Sequence, residues 1–194
     1  MKKLSTYLFL ILFSFSAPSF ADDIRDFEIE GMSIGDSLLD YFSEKEIIKY
    51  DIDSNEDLKF HRVLLLSSSS SPPQNYDGMH IYIKPNDKEY IIESLDGMIG
   101  YKNDIQSCYE KMDEIVEEIS SIFKSAEKAK KKTTSHDYDK SGKSKVSYVS
   151  FILESGEIDV ACLDWSDEMK FEDRLTVGLE TKEFRNFMEN EAYK

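Results

Sequence analysis

The chain has 194 residues, with 39 acidic and 24 basic side chains and a formal net charge of −15. An acidic surface of this kind repels nucleic acids and anionic lipids, and the sequence offers no clustered basic face to neutralise phosphates, so we expect neither as a partner. Hydrophobic residues make up 40% of the chain, which suffices for a packed core and argues against wholesale disorder.

The N-terminus is typical of a secretory signal peptide that comprises residues 1 to 21. A pair of lysines precedes an uncharged apolar run from Leu4 to Phe15, and Ala21 is the small residue that signal peptidase needs before the cut. The run is shorter than the roughly 20 residues that span a bilayer, which disfavours an uncleaved anchor. We therefore expect an exported mature chain, residues 22 to 194, with a net charge of −17 and no membrane span. It would be periplasmic if the host has an outer membrane, and secreted otherwise.

The first half of the mature chain contains one predicted helix and several predicted strands. Ser33 and Asp36 form an acidic variant of the capping box and predict a helix from about Ser33 to Glu46. Phe60 to Leu66 suits a strand, although its length leaves a helix open. The serines and prolines of Ser67 to Gln74 predict a loop.

A β-hairpin is predicted next, because apolar residues alternate from Met79 to Ile83 and return from Tyr90 to Ile92 after a Pro-Asn-Asp turn. A further short strand, Met98 to Tyr101, follows a predicted turn at Asp96 and Gly97. A long amphipathic helix comes after it, with Asn103 as the expected N-cap and lysines at its C-terminal end. Its apolar stripe consists of Ile105, Cys108, Met112, Ile115, Ile119 and Ile122.

The last third of the chain predicts three strands and a helix. Val149 to Leu153 and Ile158 to Cys162 alternate on either side of a turn at Gly156, and Leu175 to Leu179 forms one more strand. Thr181 is the expected cap of a final helix whose inward residues are Phe184, Phe187 and Met188. We therefore predict a single α+β domain. It would have a mainly antiparallel sheet of about five or six strands packed on one long amphipathic helix, with short N- and C-terminal helices.

Three parts of the chain carry a resemblance to a known group of proteins. The run from Ile29 to Ser43, the segment around Cys162, Asp164 and Trp165, and the segment from Thr181 to Phe184 resemble uncharacterised small exported proteins of marine bacteria. The resemblance covers most of the mature chain and implies an exported protein, but it brings no assigned activity.

A weaker likeness is confined to the first predicted helix. Gly31, Met32 and Ser33 are similar to the opening of that helix in the small outer-membrane assembly lipoproteins of the BamE and SmpA type. The lipid-bearing cysteine of those proteins is absent from this sequence. The likeness is therefore a hint about fold and carries no role.

No catalytic residue can be assigned from the sequence. His61, His80 and His136 are scattered and lack partners at metal-ligand spacing, and no serine lies in a glycine-flanked nucleophile elbow. The many acidic side chains leave open an enzyme that uses a pair of carboxylates, but no pair is marked.

One loop has a partial calcium-binding pattern. Asp137, Asp139 and Ser141 alternate, and Gly142 occupies the sharp-turn position of an EF-hand loop. The twelfth position is Tyr148, where that loop needs a bidentate glutamate. A solvated turn therefore explains the pattern better than a weak calcium site, and we assign no metal or cofactor.

Cys108 and Cys162 are the two cysteines of the chain, and we expect them to form a disulfide. Export would deliver them to an oxidising compartment. Cys108 shares the apolar stripe of the long helix, and Cys162 shares a strand face with Ile158 and Val160. The bond would join helix to sheet, whereas the alternative is a pair of buried free thiols.

A well-specified fold without recognisable chemistry favours a non-enzymatic exported interaction module, periplasmic or associated with the cell envelope, with an unknown protein as partner. The alternatives are a hydrolase with an unrecognised carboxylate site and a weak calcium-binding domain. A deep polar pocket would favour the enzyme, whereas an exposed apolar patch or a bare sheet edge would favour a binding partner.

Overall fold

Eight strands form one antiparallel sheet in the computed structural model, within the residues it describes, 23–52, 58–102 and 104–192. The strands are β1 His61–Leu66, β2 Gly78–Ile83, β3 Ile92–Gly100, β4 Glu127–Lys128, β5 Lys132–Ser135, β6 Lys145–Ile152, β7 Gly156–Asp164 and β8 Arg174–Thr181. The helices are α1 Glu44–Tyr50, α2 Ile105–Ile122 and α3 Lys182–Asn190, and short 3-10 turns lie at Ile24–Asp26, Leu38–Asp40 and Asp167–Met169. The predicted signal peptide, residues 1 to 21, lies outside the described part of the chain.

The sheet has the strand order β1-β2-β3-β8-β7-β6-β4, and β5 also pairs with β6. The last strand, β8, is inserted between β3 and β7 and joins the two halves of the sheet. Helix α2 follows β3 and carries the chain to β4 at the opposite edge. No helix of the described residues is long and apolar enough to cross a membrane.

One face of the sheet, here called the first face, packs against α2 and forms the core. A row of aligned residues runs across five strands with every member buried: Ile81, Leu95, Leu179, Ile158 and Phe151. On the helix, Cys108, Met112, Val116 and Ile119 are buried. Val116 was not among the residues expected in the stripe, and Ile122 is exposed, whereas Phe123 next to it is buried. Because side chains alternate along a strand, the residues between these core positions point to the opposite, second face.

The Cys108–Cys162 disulfide is confirmed and joins α2 to β7, with the two Cα atoms 6.1 Å apart and both residues fully buried. The predicted cap of α3 is also confirmed, since Thr181 Oγ1 accepts the Phe184 N–H at 3.1 Å. Asn103 lies outside the described residues, and the side chain of Asp104 caps α2 by accepting the Ser107 N–H.

The predicted fold, five or six strands packed on one long helix, is wrong. The sheet of the described residues has eight strands, and three helices accompany it. The sequence did not indicate β4 and β5 because both consist of exposed polar or charged residues with no alternation. Pairing with β6 specifies them, as in the partners Glu127 and Ile152 or Lys132 and Tyr148.

The predicted helix from Ser33 to Glu46 is also wrong. Gly35 has φ +88°, which no residue of a right-handed helix adopts, and its N–H donates to the Ile92 carbonyl at 3.0 Å. The Ser33 hydroxyl donates to backbone carbonyls instead of capping a helix. The helix begins only at Glu44, where the Glu46 carboxylate accepts the Ser43 N–H.

The predicted turn at Asp96 and Gly97 is a continuous part of β3. Gly97 is required there because a Cβ atom would lie 2.5 Å from the ring of Tyr76, which packs directly on the strand. The glycine therefore marks a close approach of a side chain to the backbone, and the two strands predicted around it are one.

Candidate functional site

An open groove of about 1560 Å³ lies on the second face of the sheet. Its floor includes Met98 of β3, Arg174 of β8 and Val146 of β6. Three segments border this floor: the turn between β5 and β6, the segment after β7 and the loop between β1 and β2. The other end of the second face is covered by α3, whose Phe184 ring packs 4.6 Å from that of Tyr82.

Aromatic side chains form the rim of the groove. The Trp165 ring lies 4.3 Å from His136 and 4.9 Å from Phe171, and Phe171 lies 6.1 Å from Tyr138. Tyr138 is 66% exposed and Phe171 is 48% exposed. Four adjoining rings, two of them exposed, make a largely apolar platform beside the groove. We call His136, Tyr138, Trp165 and Phe171 the aromatic rim.

Hydrogen bonds to two buried carboxylates hold the rim in place. Asp139 accepts from the N–H groups of Ser141 and Ser144, both at 2.9 Å, and from the Ser166 hydroxyl at 3.1 Å. It thereby ties the β5–β6 turn to the segment after β7. Asp173 accepts the Trp165 N–H at 2.8 Å. The rim is therefore a set of loops fixed by local hydrogen bonds, and its shape is prepared before any ligand binds.

The same contacts explain the calcium-like pattern. The oxygens of Asp139 are occupied by N–H and O–H donors, and these hydrogen bonds, led by that from Ser144, hold the pKa of Asp139 well below its usual range. Asp137 and Ser141 are exposed. In the described part of the chain, no group of three or more histidine, cysteine or acidic residues could hold a metal ion. The pattern belongs to a hydrogen-bonded turn with Gly142 at φ +72°.

Arg174 brings an unpaired positive charge to the floor of the groove. Its Nε atom is buried without a hydrogen-bond partner, and no ion pair joins its guanidinium group to the residues that the structure describes. Burial lowers its pKa, while the nearby Asp96 opposes that shift. A guanidinium group in this position presents hydrogen-bond donors that nothing in the described chain satisfies.

His80 and Asp96 are partners across β2 and β3 and lie on the second face of the sheet, the face to which Arg174 of β8 also belongs. Burial, with the positive charges of Arg62 and Arg174, lowers the pKa of His80 to about 4. Burial and the negative charge of Glu180 raise the pKa of Asp96 to about 8. Both side chains are therefore uncharged at neutral pH, and Asp96 does not neutralise Arg174.

A cluster of acidic side chains lies under α3, at the covered end of the second face. Arg185 contacts Asp159 at 2.7 Å, Glu180 at 3.2 Å and Glu157 at 3.4 Å. Burial and the charge of Asp159 raise the pKa of Glu180 to about 7. The cluster and Asp96 lie outside the residues that line the groove, so the raised pKa values and the open cavity do not coincide.

No family model, curated protein or solved structure matches the chain. The function is therefore inferred from the geometry of the groove. The three histidines considered as candidate site residues lie apart. His136 lines the groove and His80 lies near it, whereas His61 lies elsewhere and pairs with Asp51 at 3.2 Å. Arg174 and the aromatic rim carried no motif that could have indicated them.

Proposed function

We propose that this chain is an exported, non-enzymatic interaction module that binds its ligand in the groove. The observation that carries the proposal is the exposed aromatic rim beside an open groove of about 1560 Å³. Exposed apolar surface next to a concave site marks binding sites in soluble proteins. The groove is larger than the about 300 to 1,000 Å³ typical of sites for drug-sized molecules, so it has room for an extended ligand.

Export is supported by the Cys108–Cys162 disulfide. Such bonds persist in oxidising compartments and are rare in a reducing cytosol. The signal peptide predicted for residues 1 to 21 points the same way. A periplasmic or envelope location remains part of the proposal.

The alternative functions gain less support. A hydrolase needs acidic groups of perturbed pKa where a substrate can reach them, but Glu180 is bound by Arg185 beneath α3. Calcium binding needs free oxygens, and those of Asp139 already accept hydrogen bonds. The groove, by contrast, is open and is lined by side chains from several strands and loops.

The proposal is tested by removing the exposed part of the rim. Trp165 is the single tryptophan of the chain, so its fluorescence reports on the groove alone. The probe is anilinonaphthalene sulfonate, which emits when it binds apolar surface and accepts energy from tryptophan. We expect it to bind the native protein and to be excited through Trp165. In the double variant Phe171→Ala, Tyr138→Ala, we expect binding to weaken about tenfold, which corresponds to ~1.4 kcal/mol of lost contact.

The matched control removes the same kind of exposed apolar surface elsewhere. Ile48 is 62% exposed and Ile52 is 47% exposed, and neither lines the groove. The double variant Ile48→Ala, Ile52→Ala should bind the dye as the native protein does. Equal weakening in both double variants, or no energy transfer from Trp165, would show that the groove is not the binding site.

A further inference from the structure

We infer that the groove binds a ligand with an oxyanion group, a carboxylate or phosphate that pairs with Arg174, attached to a ring that lies against the aromatic rim. The inference rests on the proposed function and deepens it, because it assigns the chemical class of the ligand. Three features support it: the unpaired guanidinium group, the local charge of the groove, to which Arg174 itself contributes, and the aromatic platform.

Arg174 is the strongest of these features. Removing a guanidinium group from water is costly unless an anion and hydrogen-bond acceptors replace the lost hydration. The Nε atom of Arg174 is buried and lacks such an acceptor. The planar fork of a guanidinium group matches carboxylate and phosphate oxygens, which accept two parallel hydrogen bonds. A bound oxyanion would supply the missing acceptors.

The described chain offers Arg174 no alternative partner. Asp96 is the nearby carboxyl group, but it makes no ion pair with Arg174, and its pKa of about 8 leaves it protonated at neutral pH. Asp159 and Glu180 are engaged by Arg185. In the groove itself, Glu172 accepts the backbone N–H of Lys102. The positive charge of Arg174 is therefore available to a ligand.

The charge of the groove differs in sign from that of the whole protein. Four basic residues and three acidic residues line it, which gives a local net charge of +1 on a chain of −15. The basic members are Arg62, Lys102, Lys140 and Arg174. The groove therefore repels an anion less than the average surface of this acidic protein does.

The aromatic rim determines what is attached to the oxyanion. Trp165 and Phe171 present apolar ring surface on the wall of the groove, and Arg174 lies on its floor. Rings gain stability from stacked or edge-on contacts with such a surface. A ligand that carries both a ring and an oxyanion would use the wall and the floor together.

The test uses three small probes that share a phenyl ring and differ in the polar group and the atom that links it to the ring: phenylacetate, phenyl phosphate and the neutral phenylacetamide. Trp165 contributes the single indole N–H of the chain, so one signal in a ¹H–¹⁵N correlation spectrum reports on the groove. We expect saturable shifts of that signal with both anions. The neutral amide should bind about tenfold more weakly, because it lacks a charge-assisted hydrogen bond. The tighter of the two anions identifies the preferred oxyanion.

The variant Arg174→Gln should reduce the binding of both anions to the level of the amide. Its control is Arg25→Gln, which removes the same charge from a side chain that is 68% exposed and paired with Asp23. Anion binding should not change in that control. If the amide binds the native protein as tightly as the anions, the oxyanion inference is wrong and the groove remains a binding site. If none of the three probes moves the indole signal, the proposed function is contradicted as well. The comparison of the three probes uses the native protein, so it remains a valid test of the inference even if Arg174→Gln fails to fold.

Discussion

Loss of the Cys108–Cys162 disulfide is expected to lower the free energy of unfolding by about 4 kcal/mol. The cysteines are 54 residues apart, and a bond that closes so long a loop removes many conformations from the unfolded chain. It also joins two layers of the core, since α2 packs on β7 next to the bond. Because a domain is typically stable by about 5 to 15 kcal/mol, the loss would be a large part of the total.

Urea unfolding of the native protein and of the double variant Cys108→Ala, Cys162→Ala measures this loss. A reducing agent should lower the unfolding midpoint of the native protein towards that of the variant, and it should leave the variant unchanged. Equal midpoints for the two proteins would contradict the expectation. Two reactive thiols in the denatured, unreduced protein would show that the bond does not form in solution.

The protein is expected to lose stability as the pH rises from about 4 to about 8, with Asp96 as the main cause. Its folded-state pKa of about 8 lies above the ordinary value of 3.8. Between these values the folded protein keeps a proton that the unfolded chain releases, so a rise in pH favours unfolding. Glu180, with a pKa of about 7, adds to the loss. His80 opposes it between about pH 4 and its ordinary pKa of 6.5, so the steepest fall should come above that range.

The variant Asp96→Asn should remove most of this dependence. The rise of the Asp96 pKa from 3.8 to about 8 corresponds to roughly 5 kcal/mol. The residue is only half-buried, and contact with solvent reduces the expected gain at pH 8 to about 3 kcal/mol. At pH 4 the variant and the native protein should be about equally stable. The control Asp137→Asn changes an exposed carboxyl group and should have little effect at either pH. Parallel stability profiles for Asp96→Asn and the native protein would contradict the account.

Sequence patterns correctly predicted the elements that depend on interactions between residues close together in the chain. Thr181 caps α3 because its own hydroxyl reaches the next turn, and the alternation around Ile81 and Ile158 indicates which side chains face the core. The same alternation places His80 and Arg174 on the opposite face of the sheet. What covers that face cannot be inferred from any one segment, because α3 and the loops of the rim reach it from distant parts of the chain.

The wrong predictions also arise from contacts between segments that are distant in the sequence. The capping-box pattern at Ser33 is genuine, since its N–H donates to the Asp36 carboxylate at 2.9 Å. The helix nevertheless fails to form, because the chain turns at Gly35 and the Gly35 N–H donates a hydrogen bond to the Ile92 carbonyl. The groove was missed for a related reason. Its rim depends on hydrogen bonds that join Asp139 to Ser166 and Asp173 to Trp165, and no spacing in the sequence indicates those pairs.

The central claim is that the groove is the binding site, and mapping the backbone amide shifts on titration with phenylacetate tests it most directly. The account predicts that the shifted amides cluster in the segments that form the groove, 66–78, 98–102, 134–146 and 165–174. Shifts confined to α3 and the strand residues around Arg185 would instead place binding at the acidic cluster and contradict the account.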